Sequence, residues 1–382
     1  MIAEGSIQIS VTVEDGRYTK ISLSNDRIRN ASSLLVGRDG GEAARLASSV
    51  FALCRVAQGL SAAQAIEAAA DFVPDGVQQA ARALLLAAET VVEHGSRILL
   101  DWPGLLGETP DLPAMKTLRS ALADLPRALY PDGDWMRPGG GRLDPLMAGL
   151  PDRLAVVERV LHTAIFGGEP PVSRNAWHYW AAVPKTAAGR LVAHLSDSGL
   201  SGFGASVVPA LPDLPLAALE QRLSQDQGGF VRHPDWGGLP HYTGALARRR
   251  EHLLVSSMVE SFGNGLMSRL CARLVDLWLS FETCRQLAGV LCPHPGQELA
   301  VRDGQGLSVL EASRGRLAHR VELAEGKVAR YQILAPTEWN FHPQGAFAQG
   351  LLGTEASPEP TAAPRMLCTA LDPCVPFQIE VV

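Results

Sequence analysis

Cysteine is scarce in this chain and charge is modest, and each shortage excludes a class of protein. Six cysteines spread over 382 residues cannot build the disulfide framework that staples small secreted domains. Charged residues make up 19% of the chain, and acidic side chains outnumber basic ones 40 to 34, for a net charge of −6. A sequence-independent nucleic-acid binder needs a basic face, so no nucleic-acid partner is expected. No apolar run reaches the ~18 residues of a bilayer-crossing helix, so no membrane span is expected. The opening Met1-Ile2-Ala3-Glu4-Gly5 has no basic or apolar signal region, and a cytoplasmic location is expected.

Familiar catalytic signatures are missing too. There is no Gly-x-Ser-x-Gly elbow, and the scattered Ser, His and Asp residues do not make an arguable triad. Pro138-Gly139-Gly140-Gly141 has no clear preceding strand and no following Gly-Lys-Ser/Thr, so it reads as a surface loop rather than a phosphate cradle. Cys284, Cys292 and His294 lack the paired spacing of a zinc site. His178, set among Trp177, Tyr179 and Trp180, reads as packing. Arg314, taken alone, reads as a solvated surface charge.

What is present is a sizeable core, since 46% of residues are hydrophobic. Ile7, Ile9, Val11 and Val13 alternate with polar residues, Asp15-Gly16 breaks the run, and a second extended stretch passes through Tyr18, Ile21 and Leu23. This predicts a hairpin. Ala- and Leu-rich helical sequence follows from about Gly41 into Cys54, and Pro74-Asp75 is placed to start a further helix. Phe262, Leu266, Leu270, Leu274 and Trp278 lie four apart beside Met267, Cys271 and Val275. That broad stripe predicts a central bundle helix with Cys271 as a small core residue. Short extended runs return at 307–310, 317–323 and 328–334. No composition shift marks a boundary, so residues 1–382 read as one domain. The fold class expected is α+β, mainly α, with the two ends meeting over a helical middle.

Read in order, several short segments resemble the large subunit of nickel–iron hydrogenases from end to end. They are Glu4-Gly5-Ser6-Ile7-Gln8-Ile9, Gly37-Arg38-Asp39 leading to Cys54, and Thr243-Gly244-Ala245-Leu246-Ala247-Arg248. Then come Glu311-Ala312-Ser313-Arg314-Gly315, Tyr331, Ala335-Pro336-Thr337-Glu338-Trp339-Asn340, Leu351-Leu352-Gly353-Thr354 and Asp372-Pro373-Cys374. The resemblance implies a hydrogenase large-subunit-like fold, with a central helix bundle and terminal β-segments meeting near a metal-site pocket.

Departures from the family pattern say more than the matches. Catalytic members carry two Cys-x-x-Cys pairs, four thiolates in all. Here the first reads Phe51-Ala52-Leu53-Cys54, matching Cys54 to the bridging position. The second reads Cys374-Val375-Pro376-Phe377, keeping only the nickel-terminal one. The carboxy-terminal histidine that resembles a magnesium ligand is Glu380 here, and its carboxylate partner is Ser32, so magnesium is not expected. Two thiolates do not meet the coordination of a dinuclear centre. By resemblance, Arg314, Pro336 and Thr337 line the pocket around iron's carbonyl and cyanide ligands, while Glu4 matches a proton-relay glutamate that would here be vestigial or a plain strand-edge residue.

The resemblance therefore implies the family's degenerate, maturation-accessory branch, which is not an enzyme. Such a protein would hold an iron–carbonyl–cyanide unit transiently on Cys54 and Cys374, with Arg314 offsetting the charge and Thr337 supporting the ligands. Its partners would be the maturation factors that deliver the unit and the hydrogenase large-subunit precursor that receives it. Soft thiolates suit such an iron when both cysteines are ionised. Two other readings stay open: a protein-binding assembly chaperone with a vestigial pocket, and a hydrogenase large subunit with unusual ligation that would bind nickel.

Overall fold

The computed structural model describes residues 5–25 and 31–382; Glu4 lies outside them. The predicted hairpin forms from β1 (Ile7–Glu14) and β2 (Arg17–Asn25), antiparallel in register Ile9↔Leu23 and Val11↔Ile21. Its turn places Asp15 at φ 49° and Gly16 at φ 73°, left-handed conformations that suit a two-residue hairpin. The far end of the chain closes this sheet. Strand β6 (Phe377–Val381) pairs in parallel with β1, giving the order β2-β1-β6, so the expected meeting of the two ends occurs. The three later extended runs become β3 (Gly304–Ala312), β4 (Gly315–Ala324) and β5 (Lys327–Leu334), an antiparallel sheet in sequence order.

Helices fill the space between the sheets. Asp39 caps α1 (Gly40–Val50), α2 spans Arg55–Ala69, and Asp75 caps α3 (Gly76–Leu105) by accepting from the amides of Val77 and Gln78. Cys54 therefore precedes α2 rather than closing a helical run, because the chain breaks at Phe51 into a short 3₁₀ turn, Ala52–Cys54. The central helix is Leu266–Ala288, with Cys271 fully buried as expected. Phe262 belongs to the preceding helix, Leu253–Phe262. The two are separated at Gly263, whose φ is 58°, and at Gly265, where a Cβ would stand 2.7 Å from the Gly202 carbonyl oxygen. Among the described residues, no single helix is long and apolar enough to cross a membrane. Cys284 is buried, Cys292 is exposed, and His294 bonds to Asp75 at 2.7 Å, so these three build no shared site.

The Pro-Gly run at 138–141 corrects its surface-loop reading: all four residues are buried. Polar residues of α2 and α3 hold it there. Glu67 accepts from the Gly139 amide at 2.7 Å, and Gln78 donates to the Gly141 carbonyl at 2.7 Å. Glu67 also takes both ends of the Arg82 guanidinium, at 2.8 and 2.7 Å, in a pair almost completely removed from water. A bidentate buried pair offsets its desolvation only while both partners remain. Replacing Glu67 with Ala leaves the Arg82 charge and the Gly139 amide unsatisfied, and is expected to cost about 3–5 kcal/mol. A urea midpoint within experimental error of the wild type would refute this account of the α2–α3 joint.

Candidate functional site

Two sheets and three helices deliver the cysteine neighbourhood. Ser313 and Arg314 form the two-residue turn between β3 and β4, since Ala312 pairs with Gly315. Such a turn normally points to solvent, yet Arg314 is buried, which corrects its reading as a solvated charge. Backbone from elsewhere covers the turn: at Gly315 (φ 129°) a Cβ would lie 2.6 Å from the Gly244 nitrogen. The Arg316 amide donates to the Thr243 hydroxyl at 2.9 Å, and the Thr243 amide donates to Asn340 Oδ1 at 2.8 Å. Asn340 then donates to the Leu371 carbonyl at 3.4 Å, so one amide side chain connects the turn's cover to the C-terminal helix Ala362–Leu371.

Cys54 and Cys374 reach the neighbourhood from opposite ends of the chain, and both are half-buried. Cys54 stands at the N-terminal end of α2. Its apolar contacts form a small cluster with Ala57, Ala312, Leu317 and Ala335. Cys374 follows Asp372, which takes φ 55°, and receives a hydrogen bond from the Thr337 hydroxyl at 3.1 Å. Thr337 and Pro336 are buried in the first turn of the helix Pro336–Asn340. Arg314 is the common element: its buried guanidinium pairs with Asp372 and Glu93 and lies within electrostatic range of both Cys374 and Cys54. Thus the five predicted site residues within the described chain, Cys54, Arg314, Pro336, Thr337 and Cys374, gather in one place.

The two positions without sulfur are occupied differently. Phe51 faces a cavity of about 670 Å³ that also touches Tyr331, Glu338 and Phe341. Phe377 opens β6, with its backbone set against Ile7. Ser32 is half-buried, and Glu380 is exposed and accepts from the Ser10 hydroxyl at 2.7 Å.

Several polar residues around the cysteines were not singled out by sequence. Gln58 donates toward the Cys54 sulfur at 3.7 Å while its carbonyl oxygen meets His319 Nε2 at 2.9 Å, and His319 Nδ1 meets the Tyr331 hydroxyl at 2.7 Å. With the amide in this orientation, its oxygen only accepts, so His319 carries its proton on Nε2 and Tyr331 donates to Nδ1. Arg314 donates to Glu93 at 2.9 Å and lies 3.5 Å from Asp372. Three arginines, Arg314, Arg273 and Arg97, hold the Asp372 carboxyl far below the usual range despite its burial. Glu89 and Glu93 are spaced one turn apart in an otherwise Ala- and Leu-rich helix. That was the one signal available for them.

A model for the nickel-dependent hydrogenase family matches residues 267–376, a span holding Arg314, Pro336, Thr337 and Cys374. The hydrogenase expression/formation protein HoxV of Cupriavidus necator is 31% identical, over 94% of this chain and 92% of its own length. The chain belongs to the nickel-dependent hydrogenase family, in its HupK/HoxV branch. HupK of Rhizobium leguminosarum bv. viciae, also described as a hydrogenase expression/formation protein, is 29% identical, with 100% of this chain and 98% of that protein covered. Among solved structures, the Ni-Fe-Se hydrogenase of D. vulgaris Hildenborough in its as-isolated oxidized state superposes with a TM-score of 0.62. That likeness covers 95% of this chain and 94% of the other at 16% identity, and it is a likeness of fold. The hydrogenase-like α+β fold expected from sequence is thereby established.

Within this branch member, Glu89 gives the cysteine region a titrating neighbour. Its carboxylate accepts from the amides of Val56 and Ala57 at 2.7 and 2.9 Å, capping α2 just beyond Cys54. Burial pushes its pKa up to about 7 against the pull of those amides, and Glu93 adds to the rise. A carboxyl raised in the folded state favours folding most below its unfolded value of 4.5, and that contribution is lost as pH climbs through 7. Glu89→Gln, which keeps a neutral acceptor, is therefore expected to gain on the wild type between pH 4.5 and 8. The gain is on the order of 2 kcal/mol, allowing for partial solvent screening of a half-buried group. Parallel unfolding curves for the two proteins across that range would contradict the assignment.

Proposed function

We propose that this chain serves hydrogenase maturation as a non-catalytic scaffold. It would take up an iron–carbonyl–cyanide unit on the thiolates of Cys54 and Cys374 and pass it to a hydrogenase large-subunit precursor. The general role is supported by the names of its full-length relatives, hydrogenase expression/formation proteins of two bacteria. The cargo is supported by one observation above the rest: a buried guanidinium, Arg314, lies within electrostatic reach of both half-buried sulfurs.

The donor set suits such a cargo. Two soft sulfurs match a low-valent iron, and two fewer than the catalytic complement leave the unit less firmly held than in its destination. Ferrous iron with two cyanides is formally neutral, so two thiolates make the assembly anionic. Arg314 offsets that charge in a site of low dielectric. The Thr337 hydroxyl, already directed at Cys374, keeps that sulfur oriented. The Gln58 side-chain NH2 does the same for Cys54, while its carbonyl oxygen accepts from His319.

Infrared spectra of protein isolated anaerobically from cells with intact maturation machinery test the reading. Carbonyl and cyanide stretching bands are expected in the wild type and lost in Cys54→Ala and in Cys374→Ala. Bands absent from the wild type, together with normal hydrogenase maturation by both variants, would leave a protein-binding chaperone as the function. Bound nickel with hydrogen-dependent dye reduction would instead mark an active hydrogenase subunit.

A further inference from the structure

Arg314 also forms part of the wall of a second, much smaller cavity of about 20 Å³. Its polar lining comes from three places: His94 on α3, Arg269 and Arg273 on the central helix, and Ser313, Arg314 and Asp372 around the β3–β4 turn and the C-terminal loop. None of these six side chains is more than 5% exposed. A volume of this size admits one small particle.

The hydrogen-bond inventory of the lining is lopsided. Among the described residues, five guanidinium nitrogens have no aligned hydrogen-bond acceptor: Nε and Nη2 of Arg269, Nε of Arg273, and Nη1 and Nε of Arg314, this last nitrogen lying 3.5 Å from Asp372 Oδ1. Against them stand two acceptors without a donor, His94 Nδ1 and Asp372 Oδ2, and the Ser313 hydroxyl, which serves either way. His94 keeps its proton on Nε2, 2.9 Å from the acceptor-only carboxylate of Asp276, and burial lowers its tendency to take a second. Whatever fills the cavity must accept more than it donates.

The charge count points the same way. Arg269, Arg273 and Arg314 contribute three positive charges to the cavity wall and Asp372 one negative charge, while Glu93 pairs with Arg314 from outside the wall and also faces Arg119 at 3.7 Å. Arg97 also reaches Asp372 but brings Asp101 with it, and Asp276 is already shared by Arg248 and Arg249. The surplus resides on Arg269. Among the described residues it pairs with no carboxylate, and its guanidinium lies 5.0 Å from the centre of the Tyr242 ring. Burial pulls its pKa down to about 10, still charged at neutral pH. A desolvated cation without a counter-charge is costly, and one water molecule, with two lone pairs, would leave most of the free guanidinium N–H groups unpaired.

We propose that this cavity binds one small monovalent anion of halide size, held by Arg269, Arg273 and Arg314. The bound anion would join the central helix to the β3–β4 turn and the C-terminal loop. The site does not rest on the iron reading and stands or falls separately from it.

The test uses the full-length protein and bromide. Crystals grown in bromide are expected to show one anomalous peak in contact with Arg269 and Arg273. A water molecule refined there, with no anomalous signal, would overturn the proposal. In solution, the thermal midpoint is expected to rise saturably with chloride or bromide, relative to gluconate at matched ionic strength. Arg269→Lys should raise the half-saturating halide concentration roughly tenfold or more, because a point charge replaces the forked donor. Equal responses to halide and gluconate, or an unchanged halide midpoint in Arg269→Lys, would also overturn it. The wild-type measurements decide the matter even if the variant does not fold.

Discussion

The buried meeting of Arg314 with Glu93 and Asp372 is the interaction on which the arrangement of this molecule turns. It joins three parts of the chain that are remote in sequence: α3, the tip of the β3–β4 hairpin and the loop after the C-terminal helix. A guanidinium can satisfy several acceptors in fixed directions, and inside a protein it must do so, since removing one partner strands the others. Once Arg314 is fixed, Ser313 and Gly315 are fixed beside Thr243 and Gly244, and Asp372 sets the course of the chain into Cys374. The sulfur positions follow from ionic packing that lies underneath them.

Much of the fold could be read from residues because its signals are local. The Asp15-Gly16 hairpin, the Asp75 cap of α3 and the Leu266–Leu270–Leu274 stripe all rest on turn chemistry or helical period. The meeting of the two ends was legible only through ordered resemblance, since no local rule pairs β1 with β6. Pro138-Gly139-Gly140-Gly141 was read as surface because glycine usually signals exposure, whereas these glycines are small enough to let Glu67 and Gln78 reach backbone in the interior. Phe262 kept helical spacing with Leu266 across a genuine break, because periodicity cannot see a glycine at φ 58°. Arg314 looked like a surface charge for want of its partners, which lie more than 50 residues away on either side.

The candidate site shows the same division. Cys54, Cys374, Thr337 and Arg314 came from motif order, and geometry brings them together. The supporting residues did not announce themselves: Gln58 is one polar residue in an Ala-rich helix, and His319 and Tyr331 sit on adjacent strands with no sequence relation to Cys54. Their chain of hydrogen bonds exists because α2 packs over the β3–β4–β5 sheet. Phe51 and Phe377 illustrate two fates for a position that has no donor. One borders a large cavity, and the other has become part of a strand.

The parallel strand β6 has a mechanical side. It is five residues long, lies at the edge of its sheet, and alternates between half-buried and exposed side chains. Edge strands with little buried area belong to the least stable portion of a native structure and open without global unfolding. Cys54, just before α2 and packed with Ala57 and with Ala312 and Leu317 of the second sheet, has no such freedom. Cys374 is held from the side of Asp372 and Thr337, so fraying of the strand that follows would uncover that sulfur while leaving its anchors in place.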